Sequence, residues 1–357
     1  MKILKALAVL LLLSVLANAQ IRKYSNEFLN IGVGARAMGM SGAQIASVSD
    51  VYAGYWNPAG LMYSEANFSA ALMHSEYFAG IAKFDYGAIV KPINNNKKRI
   101  GFSLIRFGVD DIPNTLFLKE PDGSINYDNV TSFSAANYAF MGSYASNTGV
   151  KGLSYGGNLK IIHNRIGTFA NSWGMGVDVG MQYRRKQWRL GATVRDLTTT
   201  FNVWSFNFTD QEQQVLVSSG NIVPTGSTEL TAPQIILGSG HDIKISEKFS
   251  ILPELNVVLT TDGKRNVLIP ARPFSIDPRF GVEGSYAKMI FLRAGVGNIQ
   301  RVTSDIDSKQ ITTMQPNIGI GIRIKTIMID YAFTNLGYLS NALYSHVFSV
   351  RLDVFKK

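Results

Sequence analysis

From residue 66 onward, apolar and polar side chains trade places at almost every step. Asn317-Ile318-Gly319-Ile320-Gly321-Ile322-Arg323-Ile324 sets four isoleucines on one face against Asn, Gly, Gly and Arg on the other. Met175, Val177, Val179, Met181 and Tyr183 likewise stand opposite Gly174, Gly176, Asp178, Gly180 and Gln182. A period of two is that of a β-strand, whose successive side chains point to opposite faces. Each segment therefore predicts a strand with one apolar face and one small or polar face.

About fourteen such segments follow one another, an even number within the range of outer-membrane barrels. They begin near Ala66, Gly80, Lys98, Thr131, Leu153, Gly174, Gln187, Ala232, Lys248, Pro278, Met289, Gln315, Thr326 and Ser345. After the third, seventh, ninth and eleventh come long polar stretches: Val109 to Val130, Leu197 to Thr231, Thr261 to Asp277 and Asn298 to Met314. After the sixth, tenth and twelfth there are only a few residues, such as Arg184 to Lys186. Long links at one end and tight turns at the other are the loop pattern of a membrane barrel, and an even strand count places both termini on the periplasmic side.

Alternation alone does not say whether the apolar face meets a core or lipid, so a soluble β-sandwich is the competing reading. The one-sided loops weigh against it, and so do aromatics at strand ends: Tyr183 and Trp188 flank one tight turn, Tyr286 and Phe291 another. No later window approaches eighteen consecutive apolar residues, so a chain in the membrane must be there as a closed barrel. The final segment, His346 to Phe355, alternates Phe348, Val350, Leu352 and Val354 with Ser349, Arg351 and Asp353.

The start of the chain reads as an export leader. Lys2 and Lys5 form a basic region, Ala6 to Leu16 an apolar core too short to span a bilayer, and Ala17-Asn18-Ala19 a small-x-small cleavage site. The expected division is a signal peptide over 1–19, an N-terminal segment outside the strand pattern over 20–65 and a barrel over 66–357. Losing Lys2 and Lys5 takes the formal charge from +10 to +8. With no cysteine there is neither a disulfide framework nor a lipid-modified residue after the cleavage site.

Residues 20 to 65 break the strand pattern. Gly32, Gly34, Gly39 and Gly42 interrupt the run from Ile31 to Ala43, so this segment turns often and packs close to other backbone. Gly32-x-Gly34 invites a nucleotide-loop reading, which fails because no buried strand precedes it and no G-x-G-x-x-G is completed. The run Phe28-Leu29-Asn30-Ile31-Gly32-Val33-Gly34-Ala35-Arg36-Ala37-Met38-Gly39-Met40-Ser41-Gly42-Ala43, followed by Asp50 and by Tyr55-Trp56-Asn57-Pro58-Ala59-Gly60-Leu61, resembles the start of the PorV/PorQ family of Bacteroidetes outer-membrane proteins. That family is related to the FadL-type transporters of hydrophobic compounds, which share the Asn-Pro-Ala element. The chain departs from the pattern at Ser41, where glycine is common, and at Ser49 and Val51 around Asp50.

The resemblance implies an all-β, fourteen-stranded antiparallel transmembrane barrel with the N-terminal segment plugging its periplasmic end. Residue chemistry agrees: Pro58 fixes its own φ and keeps Asn57 extended, Asn57 can bond nearby backbone, and Ala59-Gly60 allow a turn against a wall. Gly174, Gly176, Gly180, Gly319 and Gly321 on two lumen faces would leave room for a plug, or equally serve strand bending.

Chemistry for catalysis is thin. His74, His163, His241 and His346 lack ligand-spaced partners, so no metal or cofactor is expected. His74-Ser75 lacks a visible third member for a hydrolytic triad. Asp178, Arg189, Arg195, Arg293, Arg323, Arg351 and Asp353 fit a paired lumen network. The positive charge suits lipid A phosphates of lipopolysaccharide and indicates nothing specific to nucleic acid. Two non-enzymatic functions follow from the resemblance. One is type IX protein secretion, binding the translocon or cargo, with Trp204, Phe206 and Phe208 of a long outer loop as the contact surface or else as packing over the barrel mouth. The other is passage of a hydrophobic ligand from the barrel mouth through a kinked or gapped wall.

Overall fold

The computed structural model describes residues 25–120, 122–303, 310–335 and 344–356. The expected leader, 1–19, and residues 20–24 of the plug lie outside the described residues. Fourteen strands form one antiparallel barrel: β1 (Phe68–Tyr77), β2 (Ala82–Ile93), β3 (Lys98–Asn114), β4 (Thr131–Asn147), β5 (Leu153–Ile166) and β6 (Ala170–Arg185) come first. Two strands in pieces follow, β7 (Trp188–Arg195 and Thr200–Phe206) and β8 (Ser227–Thr231 and Gln234–His241). The rest are β9 (Phe249–Thr260), β10 (Ser275–Tyr286), β11 (Ile290–Thr303), β12 (Gln310–Ile324), β13 (Ile327–Thr334) and β14 (Ser345–Val354). Pairing of β1 with β14, from Phe68 opposite Val354 to Glu76 opposite His346, closes the cylinder. Closure leaves no open edge, the condition for spanning lipid with strands.

The barrel is inside out relative to a soluble sheet. Ile318, Ile320, Ile322 and Ile324 are 51%, 42%, 45% and 57% exposed, whereas Asn158, Asp178, Arg293 and Asp330 are buried. A sandwich would bury the isoleucines, so the alternation is that of strands facing lipid outward and polar groups inward. On β6 the outward stripe runs from Trp173 through Met175, Val177, Val179 and Met181 to Tyr183. Ten residues at about 3.3 Å each, tilted about 40°, separate the two aromatics by about 25 Å, the height of a barrel's apolar band.

The histidines sit with these rims. His163 stacks on Trp173 at 4.2 Å between ring centres and His346 on Tyr331 at 6.0 Å, and His241 meets Trp188 edge to face at 4.5 Å. His74 pairs with Asp85 at 2.7 Å on the outer surface, while its neighbour Ser75 is buried on the opposite face, so the two do not meet.

Several strands run further outward than the alternation predicts. β3 continues to Asn114, and β11 to Thr303. The stretch expected as a loop from Leu197 to Thr231 instead carries the outer pieces of β7 and β8 with a helix between them, Asp210–Ser218. Thr209 caps that helix in a capping box with Glu212. Beyond Val109 the β3 ladder shifts register among Asp110, Asp111, Ile112 and Pro113, so the period of two fades there, whereas Thr200–Phe206 keeps it with Phe201 and Val203 exposed and Thr200 and Asn202 buried.

Candidate functional site: the plugged lumen and its outer vestibule

Residues 25 to 65 thread the lumen from the long-loop end to the short-turn end. A 3-10 turn (Glu27–Asn30), helix α1 (Ala35–Gly39), helix α2 (Ala53–Trp56) and a second 3-10 turn (Pro58–Tyr63) form the plug. At the outer end, Asn26 donates from Nδ2 to Thr231 Oγ1 at 2.7 Å and Glu27 pairs with Arg265 at 3.1 Å. At the inner end, Tyr63 donates its hydroxyl to Gly152 O at 2.6 Å, just before the chain enters β1.

Trp56-Asn57-Pro58-Ala59-Gly60-Leu61 is the corner that turns the plug into the wall. Trp56 donates from Nε1 to Val33 O at 2.9 Å, and Asn57, fully buried, donates from Nδ2 to Ile45 O at 3.0 Å and Met181 O at 2.9 Å. Its Oδ1 caps the following turn by accepting from Ala59 N at 3.2 Å, with Pro58 at the first position where a missing N–H costs nothing. Tyr55 and Trp56 meet edge to face at 5.0 Å, and the Arg195 guanidinium of β7 lies 4.5 Å over the Tyr55 ring.

Glycines on the wall admit this backbone. A Cβ on Gly156 would stand 2.6 Å from Pro58 C, and one on Gly180 would run into Asn57 Oδ1 and come within 3.0 Å of Pro58 Cδ. Gly191 and Gly238 receive Ile45 and Ala46, and Gly281 and Gly295 receive Met40. Gly39 of the plug lies against Gly319, where a Cβ would be 3.0 Å from the Gly319 Cα. Of the five lumen glycines singled out in sequence, Gly180 and Gly319 face the plug; Gly174 and Gly176 face Asn202 and Thr200, and Gly321 faces Asp330 and Arg293. Within the plug, Gly32, Gly34 and Gly42 all have positive φ, of 102°, 83° and 78°. Gly60 packs instead against Val48 O.

The motif's two charged residues bind the opposite wall. Arg36 pairs with Glu283 of β10 at 2.8 Å, Glu283 with Arg293 of β11 at 2.7 Å, and Arg293 with Asp330 of β13 at 2.6 Å. Asp50 pairs with Arg351 of β14, which also holds Asp353 at 3.0 Å. Burial alone would lower the Arg36 pKa, but the Glu283 carboxylate, with a smaller contribution from Asp50, outweighs it and holds the guanidinium above its ordinary value. Of the residues expected to pair in the lumen, Arg293, Arg351 and Asp353 belong to these pairs, which extend into the plug, while Asp178 pairs with Lys160 and Arg189 with Asp242.

Above the plug lies a vestibule of about 620 Å³. Its floor is the plug from Glu27 to Gly42 with Trp56, and its walls come from β8 to β14 and the end of β1. Deeper, beside Trp56 and Arg195, lies a cavity of about 10 Å³.

The wall is interrupted beside this vestibule. Val194 pairs with Val179 and Phe201 with Met175, so residues 195–200 of β7 stand opposite only 176–178 of β6. At the same height β8 breaks at Ala232-Pro233, where proline supplies no ladder donor. Lys160 holds the break by pairing with Asp178 at 2.7 Å and Asp196 at 2.5 Å. Gln234, the first residue after it, lines the vestibule.

Trp204, Phe206 and Phe208 rise above the break as a row of stacked rings, 6.4 Å and 6.3 Å between successive centres, and Phe208 stacks on Phe169 at 5.9 Å. All three are half-buried. Among the described residues no group of three or more acidic, His or Cys side chains is arranged to hold a metal ion.

No protein-family model matches the chain, and no curated protein matches it. Solved structures do. The CymD monoaromatic hydrocarbon channel superposes with a TM-score of 0.59 at 13% identity, over 91% of this chain and 98% of that one. The Pseudomonas putida toluene transporter TodX gives 0.55 at 13%, over 91% and 99%. A Pseudomonas aeruginosa FadL homologue gives 0.54 at 12%, over 90% and 98%. At such identity the likeness is one of fold: the chain is a closed fourteen-stranded antiparallel β-barrel with the architecture of that FadL homologue, of the hydrocarbon channel and of the toluene transporter.

Proposed function

We propose that this protein is a non-enzymatic outer-membrane channel for small hydrophobic molecules, taking them into the outer vestibule and releasing them sideways through the interrupted wall. The observation that carries this reading is the coincidence of the two breaks, at 196–199 and 232–233, with the edge of a vestibule whose floor is closed by the plug. One backbone hydrogen bond, Leu197 N to Val177 O at 2.8 Å, crosses the β6–β7 break, where Lys160, Asp178 and Asp196 are the groups a passing molecule must move aside and Leu197 is 46% exposed. The names of the structural neighbours, channels for toluene and monoaromatic hydrocarbons, support the same class of cargo.

The test is uptake of radiolabelled toluene by cells lacking their own such channels. Uptake above the empty-vector control is expected, and its absence overturns the reading. Deleting residues 197–199, which leaves three residues opposite 176–178, is expected to lower uptake about tenfold. Tying the plug to the wall separates this route from one through a displaced plug. A Cβ on Gly54 would lie 3.8 Å from the Cβ of Ser143, a disulfide distance, and the chain has no cysteine to interfere. Oxidised Gly54→Cys/Ser143→Cys protein should transport as well as reduced protein; loss of uptake on oxidation assigns the route to plug movement.

A role in type IX secretion is the second reading, carried by the plug motif. It predicts co-purification of translocon or cargo proteins from the native envelope under mild detergent. Recovery of the barrel alone argues against it.

A further inference from the structure

The vestibule is not lined as a hydrocarbon pocket. Its lining mixes apolar groups, Ile31 and Met38 of the plug, the aromatic pair Tyr77-Phe78 at the end of β1 and Val258 of β9 beside Asp277, with polar ones. Carboxamides, among them Gln234, Gln300, Gln315 and Asn317, share the walls with the guanidinium of Arg279. Arg279 donates from Nε to Asp277 Oδ2 at 3.0 Å, and its two Nη groups have no acceptor among the described residues. Asp277 Oδ1 and Thr260 Oγ1, on the neighbouring strands β10 and β9, also have no hydrogen-bond partner among the described residues. Both residues lie in the vestibule wall and both are buried.

A hydrocarbon entering this space would strip water from amide, guanidinium and carboxylate groups and offer nothing in return. A molecule with an apolar body and a neutral head that both donates and accepts would cover Ile31, Met38 and Tyr77 while answering Arg279 and the carboxamides. Sites with placed polar groups discriminate strongly against analogues that lack the matching group, whereas apolar walls discriminate weakly.

We infer that the vestibule selects compact amphipathic molecules, an aromatic or aliphatic body bearing a hydroxyl or carboxamide group, over unsubstituted hydrocarbons of the same size. This rests on the channel reading and narrows its cargo.

The experiment measures binding of toluene, benzyl alcohol and benzamide to the full-length protein in lipid nanodiscs, with protein-free nanodiscs subtracted for partitioning. Benzamide is expected to bind about tenfold tighter than toluene, with benzyl alcohol between. Arg279→Met and, two strands along the same wall, Gln315→Leu should each weaken benzamide while leaving toluene unchanged. Gln315 has no ion pair, so its variant serves if loss of Arg279 disturbs folding. Equal binding of toluene and benzamide, or tighter binding of toluene, overturns the inference and leaves the channel reading standing. No binding of any of the three overturns both.

Discussion

The plug meets its barrel through two unlike seams. Against β5 to β8 the contact is close and hydrogen-bonded: Asn57, Pro58, Ile45 and Ala46 lie on Gly156, Gly180, Gly191 and Gly238 with no room for a Cβ, and Arg184 and Arg195 donate to the carbonyls of Val48 and Tyr55. Against β10 to β14 the contact is ionic: Arg36 and Asp50 reach Glu283 and Arg351, with Arg293 and Asp330 behind them. The vestibule lies mainly over the ionic side, lined by Arg279, Asn298, Gln315 and Asn317. Close packing is common to both sides, since Met40 lies on Gly281 and Gly295 and Gly39 on Gly319. What differs is the ion pairs, which among the described residues tie plug to wall on the β10 to β14 side. The hydrogen-bonded seam therefore locates the plug, and the ionic seam fastens it beside a cavity.

The largest effect is expected where the ionic seam is cut at its centre. Arg293 is 1% exposed at its side chain and serves both Glu283 and Asp330. Arg293→Met strands Asp330 and leaves Glu283 with Arg36 alone, at a cost of about 3–5 kcal/mol. Heat-modified mobility on gels reads the stability, and hydrogen exchange should rise across 35–50 while 56–61 stays protected. Equal loss of protection in both stretches breaks the distinction between the seams.

Gly156→Val attacks the other side. Its Cβ would lie 2.6 Å from Pro58 C, backbone that cannot rotate away, and overpacking of this kind costs about 1–3 kcal/mol. Exchange should now rise over 56–61 and spare 35–41. A milder cut is Asn57→Ala, which leaves Ile45 O and Met181 O without the Nδ2 donor and removes the cap on Ala59 N. The expected cost is about 1–3 kcal/mol, with the same pattern of exchange.

These seams were unevenly legible in the sequence. Strand number and most strand starts follow from the period of two, because lipid and lumen impose opposite chemistry on adjacent residues. Glycine-rich faces marked Gly180 and Gly319 as lumen positions, but alternation gives only the face, not what occupies it. Gly174 and Gly176 look the same in sequence, yet they meet the side chains of β7 where its ladder is broken. Arg36 and Asp50 stood out within the motif, while Glu283 did not: its role depends on a register between β10 and a plug 247 residues away. The interruption at 232–233 had a local sign in Pro233. Its partner at 196–199 had none, since Asp-Leu-Thr-Thr carries no residue that forbids a strand.

The smallest effect tests the turn between the seams. Ser41 has φ of 55°, in the left-handed region that glycine occupies without penalty, and glycine is common at this place in the family the motif resembles. Its hydroxyl repays part of that strain by accepting from Asn317 Nδ2 at 2.8 Å, tying the plug to β12 beside the ionic seam. Ser41→Gly relieves about 1 kcal/mol of strain and gives up a hydrogen bond worth about 0.5–1.5 kcal/mol, so stability should change by less than about 0.5 kcal/mol. Ser41→Ala keeps the strain and loses the bond, and should cost about 1 kcal/mol. If alanine and glycine prove equal, backbone strain plays no part at residue 41; if both are neutral, the Asn317 bond does not hold the plug, and the ionic seam fastens it without help from β12.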